Sequence, residues 1–254
     1  MNETSTAPPP PPPVESQGIL GRLLRPGGGR PFGAGWGPSG AFLGIALAVG
    51  ASFVGALLLY PVTGTEGLDA TLGNQLVLSL ALIGAAAGIA GSMGTAPPRT
   101  RELGLRGGGA RKWAVLSMQT FFVYLMFAVA FASLVAEPEQ TDVADELGFN
   151  ASVLGAIVAG FAIVVAAPFC EEVFFRGLLF AGLRARIPFA AAAVVSGVIF
   201  GSIHLATGNL AAVVPLAVLG AMLAWLYERT GTLWAPIALH AANNALAFAF
   251  LVST

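Results

Sequence analysis

The chain has 254 residues, 56% of them hydrophobic and 10% charged, and its 12 basic and 13 acidic side chains leave a formal charge of −1. At a mean hydropathy of +0.80 there is too little polar material to cover a soluble globule of this size, so the composition specifies an integral membrane protein. The near-neutral charge gives no basis for nucleic-acid binding, and a single cysteine, Cys170, excludes an intrachain disulfide framework.

Residues 1–40 contain the proline run Pro8 to Pro13 and the glycines Gly27 to Gly29, with few large apolar groups to bury. A disordered tail acting as a flexible spacer is expected there. The first apolar run starts after Ser39 and is long enough to span, so it reads as a retained anchor and not a cleaved signal.

Apolar segments then fall at 41–62, 74–96, 113–136, 151–183, 189–207, 210–228 and 232–252, using about 20 residues per crossing. They are continuous and do not alternate, which selects an all-α, polytopic helix bundle of about seven spans over a β-barrel. The 33 glycines suit helices that approach closely in lipid. No inverted repeat of the secondary-transporter kind is visible. The expected organisation is a tail over 1–40, three N-terminal spans within 41–136, and a second bundle over 150–254.

Charge sets an expected topology. Arg22, Arg25 and Arg30 precede the first span, Arg99, Arg101, Arg106, Arg111 and Lys112 follow the second, and Arg184, Arg186 and Arg229 lie in later turns. All fall on one side if the N-terminus is cytoplasmic and the C-terminus outside, in what is expected to be the plasma membrane. Glu66, Asp69 and the acidic loop Glu137 to Glu146 fall on the other side. Trp113, Trp225, Tyr227 and Trp234 sit at predicted cytoplasmic ends, where amphipathic rings favour the interface.

Within the fourth segment stands Cys170-Glu171-Glu172-Val173-Phe174-Phe175-Arg176, preceded by Pro168. Proline removes a helical hydrogen bond, so a kink or local break is expected. Ionisable groups at membrane depth are functional candidates unless they merely pair. Glu172 and Arg176 share a helix face at four-residue spacing and are read as a structural ion pair, while Glu171 points elsewhere and suits general-base work.

His204 lies about as far beyond the Ile187/Pro188 step as Glu171 lies before it, so an antiparallel hairpin brings the two to one depth. His240 lies just past the turn at Arg229-Thr230-Gly231, with Asn244 four residues on and on the same face, and Asn243 a weaker candidate. An acid, two imidazoles and an amide can thus meet in a cytoplasm-facing cavity. That inventory serves water activation with oxyanion stabilisation, or a metal with an open position. Taken separately, the charges read as a buried ion cluster, His204 as a core histidine, His240 with Asn244 as an interhelical hydrogen-bond pair, and Phe200, Phe174, Phe175 and Cys170 as packing.

These residues resemble the CPBP family of intramembrane proteases, also called the Abi or CAAX-protease-like family. Its motifs Glu-Glu-x-x-x-Arg, Phe-x-x-x-His and His-x-x-x-Asn match Glu171-Glu172 to Arg176, Phe200 to His204 and His240 to Asn244, in that order, over about residues 150–254. The resemblance implies an intramembrane endopeptidase acting on a membrane-associated peptide or protein. Glu171 would activate water with His204, His240 and Asn244 would polarise the scissile carbonyl, and Glu172, Arg176 and Phe200 would support them.

Zinc held by His204 and His240 and a metal-free, glutamate-activated water both remain open, since no His-Glu-x-x-His motif is present. Family members often carry a further helix after the His/Asn segment; a bundle lacking it is expected to be open on one side or to need a partner. The readings set against proteolysis are a non-catalytic membrane scaffold and a proton-coupled transporter using the same buried cluster.

Overall fold

A computed structural model describes residues 34–64, 67–94, 103–107, 109–135, 153–207 and 210–253. The proline-rich tail up to residue 33, the acidic loop at 137–146, and Arg22, Arg25, Arg30, Arg99 and Arg101 lie outside the described residues. The described chain is helical throughout, with no strand. Its helices are α1 (Gly37–Thr63), α2 (Gly67–Met93), α3 (Ala110–Ala132), α4 (Val153–Arg184), α5 (Phe189–Ser202), α6 (Leu210–Thr230) and α7 (Trp234–Leu251).

Each predicted apolar segment is therefore a helix. Five of them, α1, α2, α3, α4 and α6, are long and apolar enough to cross a membrane. The other two are shorter or more polar: α5 gives way to a 3-10 turn over Ile203–Thr207, and α7 carries His240, Asn243 and Asn244 within 18 residues. The start of α2 differs most from expectation. It begins at Gly67, not at 74, and so takes in a polar first stretch with Asp69 and Thr71.

Helix α4 is the axis of the bundle. It is continuous over 32 residues, and Pro168 does not break it. Instead the helix widens into a π segment at Ala162–Ala166, returns to α geometry at Ala167–Glu172, and widens again at Val173–Phe180. Every residue of the second π segment is buried. Its carbonyls are served by side chains from other helices: the Trp36 indole N–H donates to Leu178 O at 3.0 Å and the Ser196 hydroxyl to Phe175 O at 3.3 Å. Trp36 thereby ties the start of α1 to the centre of the bundle.

Helices α5 and α6 touch backbone to backbone. A Cβ built on Gly197 would stand 2.6 Å from Ala217 O, and one on Gly201 would stand 2.6 Å from Val213 O. This is the small-residue packing that substitutes for hydrophobic drive in lipid. Gly197→Leu is expected to separate the two helices and lower stability by at least about 1–3 kcal/mol, the usual cost of overpacking. Thermal unfolding in detergent reads the loss.

The 103–107 segment lies across the end of α4. Leu103 is buried, and a Cβ on Gly177 would stand 2.6 Å from its carbonyl oxygen. Thr232 Oγ1 donates to Arg106 O, and Leu233 N–H to Gly104 O at 2.9 Å. Gly104 has φ +90°, and any side chain there would strike the Tyr227 phenol.

Tyr227 thus departs from its predicted interfacial position: it is fully buried, because the loop covers it. Trp234 is 43% exposed, as an interface ring would be. At the same end, Arg184 reaches across to the buried Glu228, with Nε and Nη2 both 3.1 Å from Oε1. The sequence offered no partner for Arg184, since Glu228 stands among interfacial aromatics.

Candidate active site

Helix α4 presents its two glutamates to different neighbours. Glu172 and Arg176, both with no exposed surface, form an ion pair at 2.8 Å across one turn. The same Glu172 oxygen, Oε1, accepts from His240 Nδ1 at 2.9 Å. Arg176 Nη2 donates to Gly220 O at 2.9 Å, and its guanidinium lies 4.6 Å from the centroid of the Phe200 ring. A carboxylate can only accept, so His240 Nδ1 carries the proton in that contact. The far nitrogen, Nε2, stands 3.8 Å from Glu171 Oε2, beyond hydrogen-bond reach.

Glu171 is 6% exposed, and its Oε2 has no hydrogen-bond partner among the described residues. It lines a cavity of about 690 Å³ together with His204. His204 Nδ1 contacts Phe200 O at 3.0 Å, four residues back in the helix. The carbonyl accepts, so a neutral His204 carries its proton on Nδ1 and its lone pair on Nε2. The Phe200 ring packs edge-on against both imidazoles, with centroids 5.4 Å apart in each case. One phenylalanine therefore fixes His204, His240 and Arg176 together.

The amide of α7 goes elsewhere. Asn244 Nδ2 donates to Ile163 O at 3.0 Å, and Asn243 Nδ2 donates to Asn244 Oδ1 at 3.4 Å. The bond to Ile163 has a local cause. In the first π segment Ala167 N–H bonds Ala162 O, five residues back. The next donor in that register would serve Ile163 O, but it belongs to Pro168, which has no N–H. Asn244 supplies the missing donor across the helix interface.

Asn244→Leu is accordingly expected to cost about 1 kcal/mol by leaving a part-buried carbonyl without its donor. Pro168→Ala should relieve part of that loss. A double-mutant cycle on unfolding in detergent gives the coupling, and a coupling near zero contradicts the assignment.

Glu171 and His204 are thus brought together at the cavity, with His240 behind Glu171 and Asn244 on the π segment. The cavity wall extends to residues that motif reading missed: Ser52 on α1, and Thr71, Asn74 and Gln75 on α2. The lining runs from Ile45 to Ser52 on α1 and from Leu82 back to Thr71 on α2, from mid-bundle toward the end that joins α1 to α2. That end lies opposite the Arg184–Pro188 turn from which depth was counted.

With this geometry in place, comparison adds a second line of support. Residues 153–246 match the type II CAAX prenyl endopeptidase Rce1-like family. The match supports the resemblance of this segment to the CPBP family. The chain is also 34% identical over 80 residues to "Putative membrane peptidase YdiL" of Bacillus subtilis (strain 168), an alignment spanning 32% of each chain. No solved structure matches it. The matched segment coincides with α4 to α7, whereas α1 and α2, which supply the far wall of the cavity, lie outside it.

Among the described residues no group of three His, Cys, Asp or Glu is arranged to hold a metal, so Glu171, His204 and His240 as placed do not make a zinc ligand set. His240 gives Nδ1 to Glu172 and keeps Nε2 for any other contact.

Proposed function

We propose that the chain is an integral membrane endopeptidase of the CAAX-protease type, hydrolysing a peptide bond of a membrane-associated substrate with water activated on Glu171. The observation that carries this reading is the placement of Glu171 and His204 on the wall of one cavity. Water held in that cavity between the Glu171 carboxylate and His204 Nε2 would be set for attack.

In the proposed reaction Glu171 takes the proton as the water oxygen adds to the scissile carbonyl. The same proton then passes to the departing amine nitrogen, and the new carboxylic acid, which holds the second proton of the water, ionises on release. His204 holds the attacking water and stabilises charge in the adduct. His240, clamped by Glu172, turns Nε2 toward Glu171 and fixes the field around it.

Asn244 holds α4 in register through Ile163, and its amide has a second N–H to offer the developing oxyanion. Glu172, Arg176 and Phe200 hold these groups in place. The proposed topology puts the N-terminus and the arginine-rich turns in the cytoplasm, and the plasma membrane is the proposed location.

Proteoliposomes containing the purified chain and a membrane-anchored peptide library separate this reading from transport. New peptide termini seen by mass spectrometry, without proton or solute flux, are expected. Flux without cleavage would replace the peptidase with a transporter, and neither would favour a scaffold.

A further inference from the structure

The cavity has a second polar wall that no motif accounts for. Thr71, Asn74 and Gln75 stand on α2 at spacings of three and four and so share a face, and Ser52 joins them from α1. Polar side chains within a membrane helix are costly unless they have partners or face a wet cavity. Two of these have partners: Thr71 Oγ1 donates to Gly67 O at 2.9 Å, and Gln75 Nε2 donates to Ser79 Oγ at 3.2 Å. The Ser52 hydroxyl is buried and has no partner among the described residues. Asn74 is exposed on the same wall.

The chemistry of this wall narrows its occupant. Hydroxyls and carboxamides are uncharged, and each can both donate and accept. The remaining lining, apart from Glu171 and His204, is aliphatic and aromatic. Such a wall suits a group with alternating N–H and C=O and apolar side chains. A peptide unwound for cleavage at membrane depth loses its helical hydrogen bonds, and each freed N–H and C=O must then be met by protein.

We infer that Ser52, Asn74 and Gln75 form a backbone-binding subsite for an extended, uncharged stretch of the peptide substrate, facing Glu171 and His204 across the cavity. The inference rests on the peptidase reading for the identity of its occupant. It divides the work between two parts of the chain: the matched segment supplies the chemistry, and α1 with α2 supplies the grip on the substrate backbone.

The test measures binding directly. A fluorescent, lipid-anchored peptide of uncharged apolar residues is titrated against the full chain carrying Glu171→Gln, and against that chain with Asn74→Leu and Gln75→Leu added. Ser52→Ala serves as a milder variant that keeps the helix packing. Saturable binding to the first protein is expected, weakened tenfold or more by the double change and severalfold by Ser52→Ala.

A peptide with one backbone amide replaced by an ester should bind the first protein more weakly, yet lose little further in the Leu/Leu variant. Equal affinity in all variants, or no binding to the first protein, overturns the subsite. Binding without cleavage by the wild-type chain would remove the peptidase reading and leave the subsite standing.

Discussion

Arg176→Met is expected to destabilise the folded bundle by about 3–5 kcal/mol, the range for removing one partner of a buried ion pair. Both Arg176 and Glu172 are wholly buried, and one carboxylate oxygen serves both the guanidinium and His240. Without the arginine, Glu172 keeps its charge beside a second carboxylate with only an imidazole to answer it. The Gly220 carbonyl loses its donor and the Phe200 ring loses the cation beside it.

Changing both partners, as Glu172→Leu with Arg176→Met, should recover much of the stability, because a well-packed apolar pair often matches a buried ion pair. Activity should not return with it, since His240 would have lost the acceptor that orients it. Denaturation in mixed detergent micelles gives the stabilities. A loss below about 1 kcal/mol for the single change would contradict the buried-pair account.

Glu171→Gln is expected to lower the rate of cleavage by about two to four orders of magnitude, the usual contribution of a positioned general base. The substitution preserves shape and removes a charge whose Oε2 has no donor among the described residues, so the fold should be kept or slightly stabilised. His204→Ala should cause a comparable fall. Because the two groups act on one water, the double variant should be little slower than the worse single one. Fully multiplicative losses would mean that the two residues act in separate steps.

Much of this was legible in the chain. Long apolar runs gave the helices, because a span must carry about 20 apolar residues whatever its packing. Charges inside such a run at Glu171, Glu172 and Arg176 stood out for the same reason. What was missed follows from the limits of the same signals. The expected start of α2 falls at 74 because Asp69 and Thr71 dilute the apolar run before it, and Thr71 belongs to the cavity wall.

The partner of Asn244 could not be read from face-sharing with His240. It depends on the π register of α4, where Pro168 leaves the Ile163 carbonyl without a donor. Tyr227 looked like an interface ring because sequence position gives depth and says nothing of the 103–107 loop that covers it.

The central claim, a peptide bond cut by water activated on Glu171, is tested most directly by incubating the membrane-anchored peptide library with purified wild-type and Glu171→Gln protein, each with and without a strong zinc chelator. Mass spectrometry of the new termini reads the outcome. Cleavage by the wild type that survives chelation and disappears with Glu171→Gln is expected. Cleavage that persists in Glu171→Gln would contradict it.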